Sequence, residues 1–349
     1  MSQPESTHEP LLLGITLGTS RSAVLSSRGF RRTIRSVIGY PRDIVAVKML
    51  GKTEAFGEEA LAQKSGLRLY YPLEGGALGV ADEQYDAPFE LLRHLIEQAR
   101  QEDESVPVRG VIGVPARAYS LNGEELLEIA SELLAPVLLV PEAFLVAYYL
   151  RKLNNCIIID LGAGTIDLCA MKGSLPGPED QISLLKGGDS LDERLEAGIR
   201  RRYPEVQLTR NLVQALKEAH AFVGEAAEPV TVSLRAQGRP DFYDVTSEMR
   251  LVCESIVPEI VEQVIGLLKN FDPEEQQGAL QNIYLAGGGS RMQGLADLLA
   301  ASLQEYGPVK VQAVDDPDFA GAAGALRLAT ELPPEDWRQV GLSAAGKPN

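Results

Sequence analysis

The chain has 349 residues, of which 45% are hydrophobic, so it can bury a large core, and its length is typical of two domains. It carries 33 Lys and Arg against 49 Asp and Glu, a net charge of −16, which argues against nucleic acid as a partner because its phosphates would be repelled. The three cysteines are an odd number without metal-ligand spacing, which favours a reducing cytoplasm over a disulfide framework.

The first ten residues, 1–10, are polar and contain two prolines, and we expect them to be disordered. They have neither the basic region of a signal peptide nor the amphipathic pattern of a membrane-surface helix. No apolar run in the chain approaches the roughly 20 residues of a membrane span. We therefore expect no direct membrane insertion.

The first half of the chain predicts alternating strands and helices. Apolar strands are predicted at 11–17 and 23–26, with a turn at 27–29, and an insertion of short strands with one short helix is predicted at about 36–75. Further along, the pattern predicts a helix at 91–101, a strand at 108–114, a helix at 123–134, a strand at 137–140 and a helix at 142–152.

The second half repeats this alternation after residue 155, which favours an α/β fold. An insertion at about 205–250 contains predicted strands at 230–234 and 242–245, and one long amphipathic helix is predicted over 251–268. The tail, 333–349, is predicted to pack Trp337 on the first half and then to fray. Cys156 and Cys169 lie in apolar strand patterns and read as small core residues.

A glycine-rich turn follows the apolar strand that begins at Cys156, with the sequence Asp160-Leu-Gly-Ala-Gly-Thr165. Gly162 and Gly164 can adopt positive φ and have no Cβ, so the backbone of Gly162, Ala163 and Gly164 can approach a phosphate. Thr165 adds a hydroxyl, and Asp160 stands where a strand would aim a carboxylate at a metal or its water shell. A tight hairpin turn without a ligand would have much the same sequence.

Two further segments with a strand and a glycine-rich turn favour phosphate binding over a turn without a ligand. The strand at 11–17 runs into Gly18-Thr19-Ser20, and the strand at 283–286 runs into Gly287-Gly288-Gly289-Ser290-Arg291. The turn at 18–20 and the turn at 160–165 lie about 145 residues apart. This spacing predicts an internal duplication with one phosphate loop from each half.

In this order the motifs resemble those of the actin-like ATPase superfamily, which includes actin, MreB and the nucleotide-binding domains of seventy-kilodalton heat-shock chaperones. The resemblance implies an actin-like α/β fold, in which two duplicated, ribonuclease H-like domains flank a nucleotide cleft and each carries a small insertion subdomain. It places the first domain at 11–150, completed by 315–345, and the second at 151–314. Gly321 and Gly324 match the second connecting helix, where glycine allows close crossing.

Segments without a nucleotide role narrow the resemblance to the MamK family of bacterial actins, which organise magnetosome chains. These segments are 36–43, 112–117, 173–181, 286–291, 324–329, 331–334 and Trp337. The resemblance implies a homopolymeric filament with turnover coupled to ATP hydrolysis, lying in the cytoplasm alongside magnetosomes. It also implies co-assembly with a paralogous actin and contact with magnetosome-associated adaptor proteins. The alternatives are a monomeric chaperone-like or sugar-kinase-like ATPase and an MreB-type cell-shape actin, since one fold hosts all of them.

The resemblance also implies roles for individual residues around ATP or ADP and Mg²⁺. Asp160 would hold the Mg²⁺ shell or the nucleophilic water, and Glu142 would orient that water, although a glutamate at a helix N-terminus is also favoured by the helix dipole alone. Thr16 departs from the superfamily, which has aspartate there. A hydroxyl can still bind a metal-bound water weakly, so we expect ATP binding with hydrolysis that is slowed.

At the adenosine end, the resemblance assigns Gly287, Gly288, Gly289 and Ser290 to the nucleotide, with Arg291 stacked on the base or else solvated. Lys217 and Glu218 resemble a pair that contacts ribose and adenine. Gly187 and Gly188 would close over the phosphates or form a hairpin turn. His8, His94 and His220 have no cysteine or carboxylate framework, so no metal cluster or triad is expected from them.

Overall fold

The computed structural model describes residues 9–79, 86–101 and 106–344. Of the disorder predicted for 1–10, the part at 1–8, which includes His8, lies outside these residues, as does the end of the tail, 345–349, which was predicted to fray. The chain divides into two compact units: unit 1 runs to Lys152 and resumes at Asp318, and unit 2 is Leu153–Pro317.

The strands of the described residues, in chain order, are β1 Leu11–Leu17, β2 Arg21–Ser26, β3 Arg31–Arg35, β4 Ile38–Pro41, β5 Ala55–Phe56, β6 Leu67–Tyr70, β7 Leu73–Glu74, β8 Ala77–Leu78, β9 Val108–Val114, β10 Val137–Pro141, β11 Asn154–Leu161, β12 Ile166–Lys172, β13 Gln181–Leu184, β14 Val206–Gln207, β15 Thr231–Ala236, β16 Arg239–Asp244, β17 Ile283–Ala286, β18 Val311–Ala313 and β19 Leu342–Ala344.

The helices are α1 Ile44–Leu50, α2 Gly57–Ala62, α3 Ala87–Arg100, α4 Ala116–Ser131, α5 Glu142–Leu150, α6 Gly188–Arg202, α7 Arg210–His220, α8 Thr246–Glu254, α9 Val257–Leu268, α10 Pro273–Leu280, α11 Leu295–Ser302 and α12 Ala320–Glu331. Short 3-10 turns lie at Pro178–Asp180, Gly288–Arg291, Gln304–Tyr306 and Pro334–Gln339. None of the described helices is both long and apolar enough to cross a membrane.

Each unit contains a large mixed sheet, and the two sheets share one arrangement. In unit 1 the order is β3-β2-β1-β9-β10-β19, and in unit 2 it is β13-β12-β11-β17-β18. In both sheets three antiparallel strands are followed by two that run parallel to the third, so β1 in unit 1 corresponds to β11 in unit 2. The internal duplication predicted from the two glycine-rich turns is visible in this topology.

Each sheet has its own apolar core. Unit 1 buries β1, β9 and β10 against α3 and α4, and unit 2 buries β11, β12 and β17 against α6, α8, α9 and α11. Central strands covered on both faces need apolar residues where they are buried, which is why residues 110–114 of β9 and 156–159 of β11 carry no polar side chain. Cys156, Cys169 and Cys253 are free and buried, so the prediction of core cysteines is confirmed for the first two.

Three helices differ between the predictions and the structure. The long helix predicted over 251–268 is wrong: it is divided into α8 and α9 at 255–256, because Pro258 has no N–H for the carbonyl four residues earlier and fits only a first turn. The predicted helix at 123–134 lies instead at Ala116–Ser131. Helix α1 was not predicted, since its seven residues include six apolar ones and read as a strand.

The tail returns to unit 1. Trp337 is fully buried, and its Nε1 donates a hydrogen bond to the Leu332 carbonyl over 3.0 Å. Strand β19 then pairs antiparallel with β10 and forms one edge of the sheet.

Candidate functional site

The strongest candidate position in unit 2 is Asp160, next to the last residue of β11. Its side chain is only 8% exposed, and in the sheet it is paired directly with Asp167 of β12. Burial disfavours the charged carboxylate, and the neighbouring Asp167 charge adds to this, so the pKa of Asp160 is raised to about 7. Two buried acids side by side make a site that a cation would stabilise.

Asp167 is a site residue that the motif reasoning missed. One of its oxygens accepts a hydrogen bond from the Ser183 hydroxyl at 2.5 Å, and the other accepts one from the Thr165 hydroxyl at 3.3 Å. Thr165 itself is buried. The sequence feature that could have identified Asp167 is an acidic residue among the apolar residues of β12. All but the last residue of this strand are buried, so an acid there needs a partner.

The loop after Asp160 is closed by the start of α6. The Gly188 N–H donates to the Gly162 carbonyl at 3.0 Å, and the Asp189 N–H donates to the Ala163 carbonyl at 2.9 Å. A Cβ on Gly187 would collide with the Ala163 backbone. Gly187 and Gly188 therefore connect a strand to a helix and seat it on the loop, so the alternative of a hairpin turn is wrong.

Close approach, rather than left-handed backbone, accounts for Gly162 in this loop. Gly162 and Gly164 do not have the positive φ that the sequence allowed for them. A Cβ on Gly162 would lie 3.0 Å from the Thr165 carbonyl oxygen, which is tighter than most real contacts of this kind. In the loop at 287–291 the requirement is different, since Gly287 has a φ of +70°.

Lys217 lies inside unit 2 and is engaged by the protein itself. Its ammonium donates to the Gly188 carbonyl and forms an ion pair with Asp192 at 2.8 Å, with side chains 11% and 3% exposed. Burial raises the pKa of Asp192, and the Lys217 charge lowers it again in part. The next residue, Glu218, is exposed and accepts a hydrogen bond from Gln214.

The loop at the end of β17 contains the predicted adenosine residues. Gly288, Gly289, Ser290 and Arg291 form a 3-10 turn, and the Ser290 hydroxyl donates to the Gly287 carbonyl at 2.7 Å. No heavy atom lies within 4 Å of the Cβ position of Gly288, so the turn is open there. Arg291 is exposed at the end of this turn, and α11 begins only at Leu295.

In unit 1 the corresponding turn is Gly18, Thr19 and Ser20, between β1 and β2. All three residues are partly exposed. The Ser20 hydroxyl accepts a hydrogen bond from Arg35 of β3 at 3.0 Å. The sequence analysis did not predict that the Arg35 guanidinium lies beside this turn. The sequence feature that could have indicated it is the run of basic residues that forms β3.

Thr16 and Glu142 converge on Gly321 of α12. Glu142 is the first residue of α5, and Thr16 lies next to the end of β1 and is buried. A Cβ on Gly321 would lie 2.6 Å from a Glu142 carboxylate oxygen and 2.8 Å from the Thr16 methyl group. A Cβ on Gly324 would collide with the Leu145 backbone, so these glycines let α12 cross α5 closely. The structure thus groups two predicted site residues that are 126 positions apart in the sequence.

The acidic oxygens suit Mg²⁺ better than a transition metal. The described residues contain no group of three or more His, Cys, Asp or Glu that could hold a metal ion by itself. Mg²⁺ is usually held by one or two carboxylates together with waters and substrate phosphates. The buried pair Asp160 and Asp167 fits that donor set, because burial and the neighbouring Asp167 charge raise the pKa of Asp160 and a divalent cation would favour its ionised form.

Comparison with known proteins gives a consistent result. The family described as MreB/Mbl protein matches residues 11–334. The chain is 46% identical over 332 residues to the actin-like protein MamK of Magnetospirillum gryphiswaldense, an alignment that covers 95% of this chain and 92% of that one.

Two solved structures are similar to this chain. One is described as a MamK double helical filament; it has a TM-score of 0.90 and 45% sequence identity and covers 93% of this chain and 100% of that chain. The other is a non-polymerising MamK mutant bound to AMPPNP, with a TM-score of 0.73 and 44% identity, covering 92% of this chain and 99% of that chain. The predicted actin-like α/β fold is confirmed.

Proposed function

This chain belongs to the MreB/Mbl family of actin-like proteins, and from its 46% identity to MamK we propose that it is an ATP-binding, filament-forming actin that scaffolds magnetosomes in a chain. Filament turnover would be coupled to hydrolysis of ATP to ADP and phosphate. The filament would lie in the cytoplasm alongside the magnetosomes.

The observation that carries this proposal is the pair of equivalent strands, β1 and β11, that each run into a glycine-rich turn. Such turns present backbone N–H groups to phosphates, and a duplicated pair supplies two of them. The likeness to a MamK structure bound to AMPPNP supports the same interpretation, because AMPPNP is an ATP analogue.

For catalysis we propose Asp160 and Glu142. Phosphoryl transfer to water needs mainly positioning and charge stabilisation from the protein. Asp160 would hold the Mg²⁺ water shell, with Asp167 supplying a second carboxylate at the paired position of β12. Glu142 would orient the attacking water from the first turn of α5. When bound, Mg²⁺ would neutralise charge on the phosphates.

Thr16 would contribute a hydroxyl to the metal-bound water where related proteins contribute a carboxylate. With one negative charge fewer, Mg²⁺ binding should be weaker and turnover slower.

Nucleotide binding would use the three turns and their neighbours. The proposed residues are Gly18, Thr19, Ser20, Gly162, Ala163, Gly164, Thr165, Gly187, Gly188, Lys217, Glu218, Gly287, Gly288, Gly289, Ser290 and Arg291. The contacts of Lys217 modify its proposed role. An ammonium already bound to Asp192 and Gly188 would act by holding Gly188 against the Gly162 carbonyl, and less by touching the ribose.

The principal partner would be a second copy of the chain, as the likeness to a MamK filament supports. A paralogous actin and magnetosome-associated adaptor proteins are further proposed partners. The main alternative is a monomeric ATPase on the same fold.

Light scattering and negative-stain microscopy, each with and without ATP and Mg²⁺, distinguish these functions. We expect scattering to rise when ATP and Mg²⁺ are added and filaments to be present on the grid. A chain that binds ATP, as a rise in its unfolding temperature would show, yet stays monomeric at high concentration would support the monomeric ATPase instead.

A further inference from the structure

Arg35, the last residue of β3, lies beside the glycine-rich turn of unit 1. Its guanidinium donates a hydrogen bond to the Ser20 hydroxyl at 3.0 Å, and its side chain is only 17% exposed. The turn is tight, because a Cβ on Gly18 would collide with the Arg21 carbonyl oxygen. Tight glycine-rich turns present backbone N–H groups to anions. A positive charge therefore stands next to the turn that we propose binds phosphate.

The strand register places Arg35 on the same face of the sheet as Thr16. Along a strand the side chains alternate between the two faces, and directly paired residues of neighbouring strands share a face. Thr16 of β1 pairs with Ala23 of β2. Arg21, two positions before Ala23 on the same strand, pairs with Arg35 of β3. Arg35 and Thr16 thus point to one side of the sheet, the side on which the metal-bound water is proposed to lie.

The ion pair between Arg35 and Glu58 is one that a phosphate can replace. The Arg35 Nε donates to a Glu58 carboxylate oxygen at 3.3 Å, and the Glu58 side chain is 77% exposed. Ion pairs of this kind in solvent contribute little to stability. Lys217 of unit 2 is a contrast, since its partner Asp192 is 3% exposed and 2.8 Å away. The Arg35 guanidinium is held in place much less firmly than the Lys217 ammonium.

We propose that Arg35 binds the phosphates of ATP at the unit 1 turn, exchanging the Ser20 hydroxyl and the Glu58 carboxylate for phosphate oxygens. This proposal rests on the proposed ATP-binding function and adds a residue to that site. A guanidinium suits the role because its planar N–H groups can contact two oxygens of one phosphate at once. Its hydrogen bonds to a charged phosphate are also stronger than the one to a neutral hydroxyl.

The test compares the binding of ATP and of adenosine, by isothermal titration calorimetry, to the parent and to Arg35→Gln. We expect Arg35→Gln to weaken ATP binding about tenfold or more, because a charge-assisted contact to phosphate is lost. Adenosine has no phosphate, so its binding should not change, which also shows that the variant is folded. Arg32→Gln is the matched control, since Arg32 is on the same strand and donates to Gln98 of α3. It should bind both ligands as the parent does.

A second variant should have the opposite effect. Glu58→Gln removes a carboxylate that competes with phosphate for Arg35, so it should bind ATP about two- to fivefold more tightly than the parent. In the double variant Arg35→Gln/Glu58→Gln this gain should disappear, because the carboxylate acts only through the guanidinium. If the pair only stabilised the fold, neither single variant would change the ratio of ATP affinity to adenosine affinity.

The outcomes separate this proposal from the function on which it rests. If Arg35→Gln binds ATP as tightly as the parent, or weakens ATP and adenosine binding equally, Arg35 does not bind the phosphates, while ATP binding by the parent stands. A Glu58→Gln variant that binds ATP more weakly than the parent would overturn the exchange. If the parent itself does not bind ATP, the proposed function and the role of Arg35 are both overturned.

Discussion

Asp160→Asn should stabilise the protein in the absence of nucleotide and metal, and increasingly so as the pH rises. The folded carboxyl holds its proton up to about pH 7, while the unfolded one releases it near 3.8. The unfolded state therefore binds fewer protons between these values, and the free energy of unfolding of the parent falls as the pH rises through them. The whole loss is up to about 4 kcal/mol, at about 1.4 kcal/mol for each pH unit.

Asparagine has nearly the same shape and cannot ionise, so the variant escapes this loss. Between pH 5.5 and pH 7.5 its advantage over the parent should grow by about 2 kcal/mol. The assay is urea unfolding of both proteins in EDTA at the two pH values. An advantage that does not change with pH would refute the argument that burial and Asp167 raise the pKa of Asp160.

Asp192→Asn is the matched control for this experiment, because it is the same substitution at another buried aspartate of unit 2. Asp192 is paired with Lys217, so losing its charge leaves a buried ammonium uncompensated. We expect a destabilisation of about 3–5 kcal/mol, opposite in sign to the effect at Asp160. If both substitutions changed stability in the same direction, burial alone would explain both effects, and the ion pair between Asp192 and Lys217 would not contribute to stability.

Other consequences concern unit 1. Thr16→Asp should lower the Mg²⁺ concentration needed for ATP turnover about tenfold, because a charge-assisted contact contributes about 1.5–3 kcal/mol. The uncharged Thr16→Asn variant should not lower it. An unchanged Mg²⁺ requirement in Thr16→Asp would contradict the proposed role of Thr16. Gly321→Ala should lower kcat more than it raises KM, since the new methyl displaces the Glu142 carboxylate 2.6 Å away; a pure KM effect would contradict that role for Glu142. Trp337→Ala should destabilise unit 1 by about 3–5 kcal/mol in urea unfolding, and a loss below about 1 kcal/mol would show that the tail does not stabilise the sheet.

Much of the fold could be predicted because its central strands are covered on both faces. Strands such as β1, β9 and β11 must then be mainly apolar, and glycine-rich turns mark where β1 and β11 end. The division between α8 and α9 was missed because the hydrophobic period continues through both helices. Helix α1 was missed because pattern reasoning assumes that apolar residues are buried, and at α1 they are exposed.

The residues of the candidate site could be predicted only where they belong to a recognisable sequence motif. Turn chemistry located Asp160 and the glycines next to it, whereas Asp167 became its neighbour through the pairing register of β11 and β12. Asp192 contacts Lys217 because α6 packs on α7, and Arg35 reaches Ser20 across adjacent strands. Such contacts are set by packing, and no local spacing in the sequence encodes them. The catalytic roles of Asp160 and Glu142 stay predictions.

The most direct test of nucleotide-driven filament turnover is to follow light scattering and phosphate release in the same sample, for the parent and for Asp160→Ala. The parent should assemble with ATP and Mg²⁺ and then disassemble as phosphate is released. Asp160→Ala should assemble to a similar extent, release little phosphate and persist as filaments, because it lacks the carboxylate that positions metal and water and keeps the adenosine contacts. Phosphate release by Asp160→Ala at the parental rate, or a parent whose filaments persist after its ATP is consumed, would contradict the account.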